Sequence, residues 1–377
     1  MSQNQGWGPY GDPGRGAGWG PPPPPQPGVI PLRPLGIGDL LGGAMSAIGR
    51  YKSAVFGIPL VVFGVYSVVV GVAVLLAVSG VADAVPDFVD AVDDPSRTEP
   101  PPWEVFQPFV VAFVSVIAVL TVGYVIAVAT VQAAMLAVLQ SAVVGRPATF
   151  GSVWREALPR VPALIGTTLL SGLIAMIPTV LAVVAFSVVV IGTSVAAVSG
   201  DGDDGAAAGV ILVVGLLGAL VTAVPAIWLY VKFILAPAAV VFEKQGPIAA
   251  LRRSSRLVRG RWWPVFGITI LVALIAGVIA GVVQQVLVMV GMVPLMTAAS
   301  DLGPDPQVSD VVSVVSVYVV IVLVAQLVGY LIQTTFPPLV NGLLYVDQRI
   351  RNENLAPALA ESAAAHRTPG TPGTPGF

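Results

Sequence analysis

Six long stretches of this chain contain no Asp, Glu, Lys or Arg: Ser53 to Ala82, Val105 to Gly145, Val161 to Gly200, Gly205 to Val231, Trp262 to Ser300 and Val311 to Val346. Each exceeds the ~20 residues that a helix needs to cross ~30 Å of hydrocarbon. Inside a bilayer the backbone must satisfy its own hydrogen bonds, and a helix does so within one segment. The pattern predicts an all-α membrane protein with six transmembrane helices near residues 54–80, 106–132, 163–190, 208–234, 265–291 and 312–338. Composition agrees: 10% of residues are charged and mean hydropathy is +0.89, whereas soluble domains carry about 25% charged residues.

Several of the uncharged runs are near 40 residues long, enough for two short helices. Charge placement favours one crossing each, because acids flank one end of a run and bases lie at or near the other. Asp83, Asp87, Asp90, Asp93, Asp94, Glu99 and Glu104 fall between the first two runs. Asp201, Asp203 and Asp204 separate the third and fourth, and Asp301, Asp305 and Asp310 the fifth and sixth. The alternate connections hold Arg146, Arg155 and Arg160, then Lys244, Arg252, Arg253, Arg256, Arg259 and Arg261. Bases are retained on the cytoplasmic side, so both termini are expected inside and the acidic loops outside. The bias toward Arg, Ala, Gly, Val and Pro fits a GC-rich bacterial genome, and the expected location is the bacterial cytoplasmic (inner) membrane.

The inner connections repeat. Tyr51 to Ile58, Arg160 to Thr167 and Arg261 to Ile268 align without gaps, at spacings of 109 and 101 residues. Leu41, Ala44, Met45 and Ile48 then correspond to Phe150, Val153, Trp154 and Ala157, and to Leu251, Ser254, Ser255 and Val258. That spacing marks one helical face. It predicts three tandem parallel repeats, each a short amphipathic cytoplasmic helix followed by an out-and-back pair of membrane helices. Residues 29–355 form the membrane domain on this reading. The Gly- and Pro-rich segment 1–28 and the segment 356–377, with its repeated Thr-Pro-Gly, lack the apolar content to order themselves.

Three stretches carry a resemblance. Val29 to Leu40, Ala239 to Pro264 and Leu343 to Arg351 are similar to the membrane domain fused to some bacterial glycerophosphoryl diester phosphodiesterases, a domain that also occurs alone. The resemblance spans residues 29 to 357 and implies an integral membrane module. The phosphodiesterase activity resides in a separate soluble barrel with paired histidines and acidic metal ligands. This chain has one histidine, His366, and no cysteine, so the hydrolase activity does not carry over and no catalytic residue, metal or cofactor is expected.

Two sets of residues are candidates for function. Arg252, Arg253, Arg256, Arg259 and Arg261 adjoin Trp262 and Trp263, a basic and aromatic run suited to lipid headgroups; such bases contribute about 1 kcal/mol each against an anionic leaflet. The competing reading is that they only set topology. Gln132, Lys232, Gln284, Gln285, Gln326 and Gln333 are polar positions inside apolar runs, where polar groups are costly unless paired. Gln326 and Gln333, seven apart, would line a polar groove with Gln284 or Gln285. Against this, amides often just join neighbouring helices, at ~1 kcal/mol each. Lys232 is placed about ten residues from the inner end of its helix, free to snorkel inward. The acidic run Asp83 to Glu104 has no cation-ligand spacing.

The reading that results is a non-catalytic membrane module, lipid-associated or partner-organising, with anionic membrane lipids as expected partners and no nucleic-acid module. The alternative is a permease or lipid-handling transporter, which requires those polar residues to converge on one cavity.

Overall fold

The structure, a computed structural model, describes residues 33–93, 101–199, 204–300 and 307–353. The two expected tails, His366, and the loop residues Asp94, Arg97, Glu99, Asp201, Asp203, Asp301 and Asp305 lie outside the described residues. Everything regular that is described is helical. In chain order the helices are α1 (Ile37–Arg50), α2 (Lys52–Ala82), α3 (Val85–Asp93), α4 (Trp103–Val144), α5 (Phe150–Ala157), α6 (Val161–Ser199), α7 (Asp204–Phe233), α8 (Ala236–Glu243), α9 (Pro247–Val258), α10 (Trp262–Ser300) and α11 (Val308–Glu353).

Six helical stretches, centred on α2, α4, α6, α7, α10 and α11, are long and apolar enough to cross a membrane. The protein is an all-α, multi-pass membrane protein. The long helices pack as sequential pairs, α2 with α4, α6 with α7 and α10 with α11, and α11 also lies against α2 and α4. They outrun the spans read from hydropathy because several continue into a protein core beyond the length that a bilayer demands. In α4 the stretch past residue 132 is still buried, with Ala133, Ala134, Met135, Leu136, Ala137, Val138 and Leu139 inside. Small side chains there let helices approach closely, the usual means of packing where lipid tails remove the hydrophobic drive.

One end of the bundle holds most of that core. Leu40 and Ala47 of α1, Ile58 of α2, Leu164 of α6, Val240 of α8, Leu257 of α9 and Leu343 of α11 are all buried in one cluster. The other halves of the long helices expose Leu76, Val114, Leu181, Leu220, Val278 and Met289, side chains that suit lipid. The short helices are set by local signals. Thr149 caps α5, its hydroxyl accepting from the Ser152 amide at 3.3 Å, and Pro247 opens α9, where a proline loses no helical bond. Two glycines allow short helices to touch long ones. A Cβ on Gly57 of α2 would meet the Phe150 ring at 3.3 Å, and one on Gly166 of α6 would meet Pro247 at 2.8 Å.

The fourth long helix corrects the sequence reading. α7 stops at Phe233, a turn occupies Ile234–Leu235, and α8 follows with Pro237 in its first turn. Proline cannot donate to the preceding turn, so the helix breaks there. Lys232 therefore lies in the last turn of α7, not ten residues inside its helix, and its charge complements that helix terminus.

Candidate lipid-interface site

Helix α9 separates the basic run into two populations. Ala250, Leu251, Ser254, Leu257 and Val258 form its buried face, and the Ser254 hydroxyl donates to the Lys232 carbonyl at 2.8 Å, tying α9 to the end of α7. Arg252, Arg256 and Arg259 follow at steps of four and three and are exposed. Trp263 is 73% exposed. Arg261 and Trp262 are half-buried. Arg253 lies at the margin of the buried face and does not join the exposed set.

Instead Arg253 sits in an ionic cluster built from α8, α9 and α11. Its Nε donates to both Glu243 oxygens at 3.1 Å and its Nη2 to Oε1 at 2.9 Å. The same guanidinium pairs with Glu353, and Arg349 bridges Glu243 at 3.4 Å and Glu353 at 3.0 Å. The Tyr345 hydroxyl donates to Glu243. Burial alone lowers the affinity of Arg253 for its proton, but the hydrogen bonds to Glu243 and Glu353 more than offset it and hold the pKa above the ordinary arginine value.

A second cluster interleaves with it on α11, two residues and so about 200° around the helix. Asp347, only 3% exposed, accepts from the Leu35 amide at 2.7 Å and from Arg351 Nε at 2.8 Å, while Arg351 Nη2 donates to the Leu35 carbonyl at 2.8 Å. These inward-facing groups, Glu243, Tyr345, Asp347, Arg349 and Arg351, were not singled out from sequence. The available signal was the i,i+4 pairing of Asp347 with Arg351 and of Arg349 with Glu353, a spacing at which opposite charges meet on a helix.

Between α7, α9 and α10 lies a cavity of about 410 Å³ lined by Trp228, Lys232, Ser255, Arg256, Val258, Arg259, Gly260 and Trp262. The Lys232 ammonium stands 4.4 Å over the Trp228 ring, within cation–π range. Trp262 stacks on Phe266 at 4.8 Å and meets Trp263 edge-on at 4.9 Å, while its buried Nε1 has no hydrogen-bond partner. Gly260, at φ +82°, turns the chain from α9 into α10 in a conformation that side chains disfavour.

With this geometry described, residues 102–336 match a family described as a domain of unknown function, DUF7847. The chain belongs to the DUF7847 family. No curated protein and no solved structure matches it. The DUF7847 match contains the cavity, Glu243 and Arg253, but stops short of Tyr345, Asp347, Arg349, Arg351 and Glu353 and begins after Leu35.

The intramembrane polar residues of this DUF7847 protein do not share one groove. Gln284 of α10 donates to Gln326 of α11 at 2.9 Å, a pairing between helices for which Gly329 leaves room. Gln285 is exposed, one residue and so about 100° around α10. Gln333 is also exposed; although it shares a stripe with Gln326, seven residues carry it about 10 Å along the axis, away from Gln284. Gln132 lines a different cavity, of about 320 Å³, with Thr167, Ser171 and Tyr230. Lys232 faces the basic cavity. Among the described residues, Gln284 and Gln326 meet, while Gln132 and Lys232 line separate cavities.

Proposed function

We propose that this DUF7847 protein is a non-catalytic module of the bacterial cytoplasmic membrane whose basic end rests on anionic lipid. Both termini are then cytoplasmic, and the chain comprises three tandem parallel units: α1 with α2 and α4, α5 with α6 and α7, and α9 with α10 and α11. The equivalent close approaches at Gly57 and Gly166 support the repeat. The contacts of Glu243 with Tyr345 and Arg349, and of Asp347 with Leu35, support the similarity to the phosphodiesterase membrane domain, since they join the stretches that carry the resemblance.

The observation that carries the lipid reading is the division of charge on α9. The acids of α8 and the end of α11, Glu243, Asp347 and Glu353, are engaged by Arg253, Arg349 and Arg351, and Asp39 of α1 pairs with Arg33, while Glu156 of α5 is exposed. Arg252, Arg256 and Arg259 stay exposed and without ion pairs among the described residues, next to an exposed Trp263. An exposed indole beside exposed bases suits the headgroup region.

The test is the lipid retained by the full chain purified in neutral detergent. Anionic phospholipid should be enriched over its share of the source membrane, and the triple change Arg252→Gln, Arg256→Gln, Arg259→Gln should abolish the enrichment. Retained lipid that mirrors the source membrane in both proteins would remove the proposal.

A further inference from the structure

We propose that the cavity between α7, α9 and α10 is a site for one organic phosphate group, supplied by the headgroup of an anionic lipid. This rests on the lipid-associated reading and narrows it from a charged face to a single pocket. Three cations from separate elements line the cavity: Lys232 from the last turn of α7, Arg256 from α9 and Arg259 from the turn that follows it. No carboxylate is among the lining residues, and none of the three cations has an ion-pair partner among the described residues. Like charges gathered without a counter-charge repel one another, so the arrangement favours an anion.

The chemistry of the walls narrows the anion. Arg presents paired donors that match phosphate oxygens, and Lys adds a point charge. Trp228 and Trp262 supply apolar surface. An inorganic ion has no use for two indoles, whereas a phosphate ester carrying glycerol and acyl chains does. The volume of about 410 Å³ lies within the range of about 300–1,000 Å³ usual for small-ligand sites. The exposed Trp263, directly after Trp262 in α10, is suited to the membrane–water interface from which a lipid headgroup would enter. The competing use of these cations is to complement the C-terminal carbonyls of α7 and α9.

Calorimetric titration of the full chain in neutral detergent tests the site with three probes: short-chain phosphatidylglycerol, short-chain phosphatidylcholine and glycerol 3-phosphate. Phosphatidylglycerol should bind saturably at one site, at least tenfold more tightly than either other probe. Lys232→Met and Arg256→Gln should each weaken it at least tenfold, Lys232→Arg should restore most of the loss, and Arg155→Gln on α5 should leave it within twofold. Glycerol 3-phosphate binding as tightly as the lipid would overturn the lipid source while keeping a Lys232-dependent phosphate site. Wild-type binding by Lys232→Met, with lipid preference lost only in the triple arginine variant, would overturn the pocket and leave the broad basic face. Equal binding of both phospholipids by the wild type would overturn pocket and face together. Monodisperse elution of each variant separates lost binding from lost fold.

Discussion

Removing the charge of Arg253 should destabilise the protein, whereas removing that of its neighbour Arg252 should not. Arg253 makes three hydrogen bonds to Glu243 at 2.9 to 3.1 Å and pairs with Glu353. The side chains of Arg253 and Glu243 are 17% and 16% exposed. Breaking a well-buried pair by deleting one partner costs about 3–5 kcal/mol, and solvent reduces that for a partly exposed pair. After Arg253→Met, Glu243 keeps Arg349 at 3.4 Å and the Tyr345 hydroxyl, so its carboxylate is not stranded. The expected loss is therefore about 2–3 kcal/mol. Arg252→Met removes an exposed side chain with no ion pair among the described residues, and surface changes of this kind stay within about 0.5 kcal/mol. Reversible denaturant unfolding of the full chain in detergent measures both. A double-mutant cycle with Glu243→Gln should return a coupling of at least about 1 kcal/mol. If Arg253→Met and Arg252→Met unfold alike, the ionic cluster is not a structural tie and Arg253 belongs with the surface bases.

Two more outcomes follow from the same geometry. Gly166→Ala places a Cβ 2.8 Å from the Pro247 ring, a rigid neighbour, and overpacking of this kind costs about 1–3 kcal/mol; Gly267→Ala, at the aligned position of α10 where nothing lies within 4 Å, should be neutral or stabilising by up to about 1 kcal/mol from helix propensity. Equal loss in both, measured by the same unfolding assay, would contradict the close approach of α6 and α9. For topology, alkaline phosphatase fused after Asp94, Asp203 or Asp305 should be active and a fluorescent protein at the same points dark; one inverted result would refute the orientation proposed from the arginine-rich connections.

What the sequence makes legible is whatever a bilayer dictates locally. The six apolar stretches are visible because a spanning helix cannot carry unpaired charge, whereas α3, inside the acidic run, and α8, beyond the break after α7, are not anticipated. Legibility fails where the outcome depends on a partner far along the chain. Arg253 looks the same as Arg252 and Arg256 in the sequence, and only the approach of α8 and α11, from residues ten before and one hundred after, draws it inward. Gln326 and Gln333 share a helical stripe, but the pairing residue Gln284 stands at the depth of only one of them. The end of α7 was readable in principle, since Pro237 lies just beyond the break, but a hydropathy window runs straight across it.

The position of the ionic ties bears on how the chain closes. On the three-unit reading, α5 lies on α2 and α4 of the unit before it, and α9 lies on α6, α7 and α8 of the unit before it. An open stack built this way would leave the last pair of helices without a short helix and the first short helix without a pair to cover, the usual weakness at the ends of repeat arrays. Here α1 lies on α11, so the first unit covers the last. Apolar contact alone is a weak determinant of that closure, because the alanine-rich face of α1 would fit many helices. The Asp347 carboxylate, buried and paired with Arg351 within α11, gives the contact a register: a slip of one residue would break the bonds of Leu35 to Asp347 and Arg351 and leave a backbone amide and carbonyl unpaired, at a cost of about 1–3 kcal/mol. The two ends of the membrane domain are thus fixed to each other by polar specificity laid over a permissive apolar surface. That accounts for the charges drawn inward at the end of α11, while Arg252 and Arg256 of α9 stay exposed.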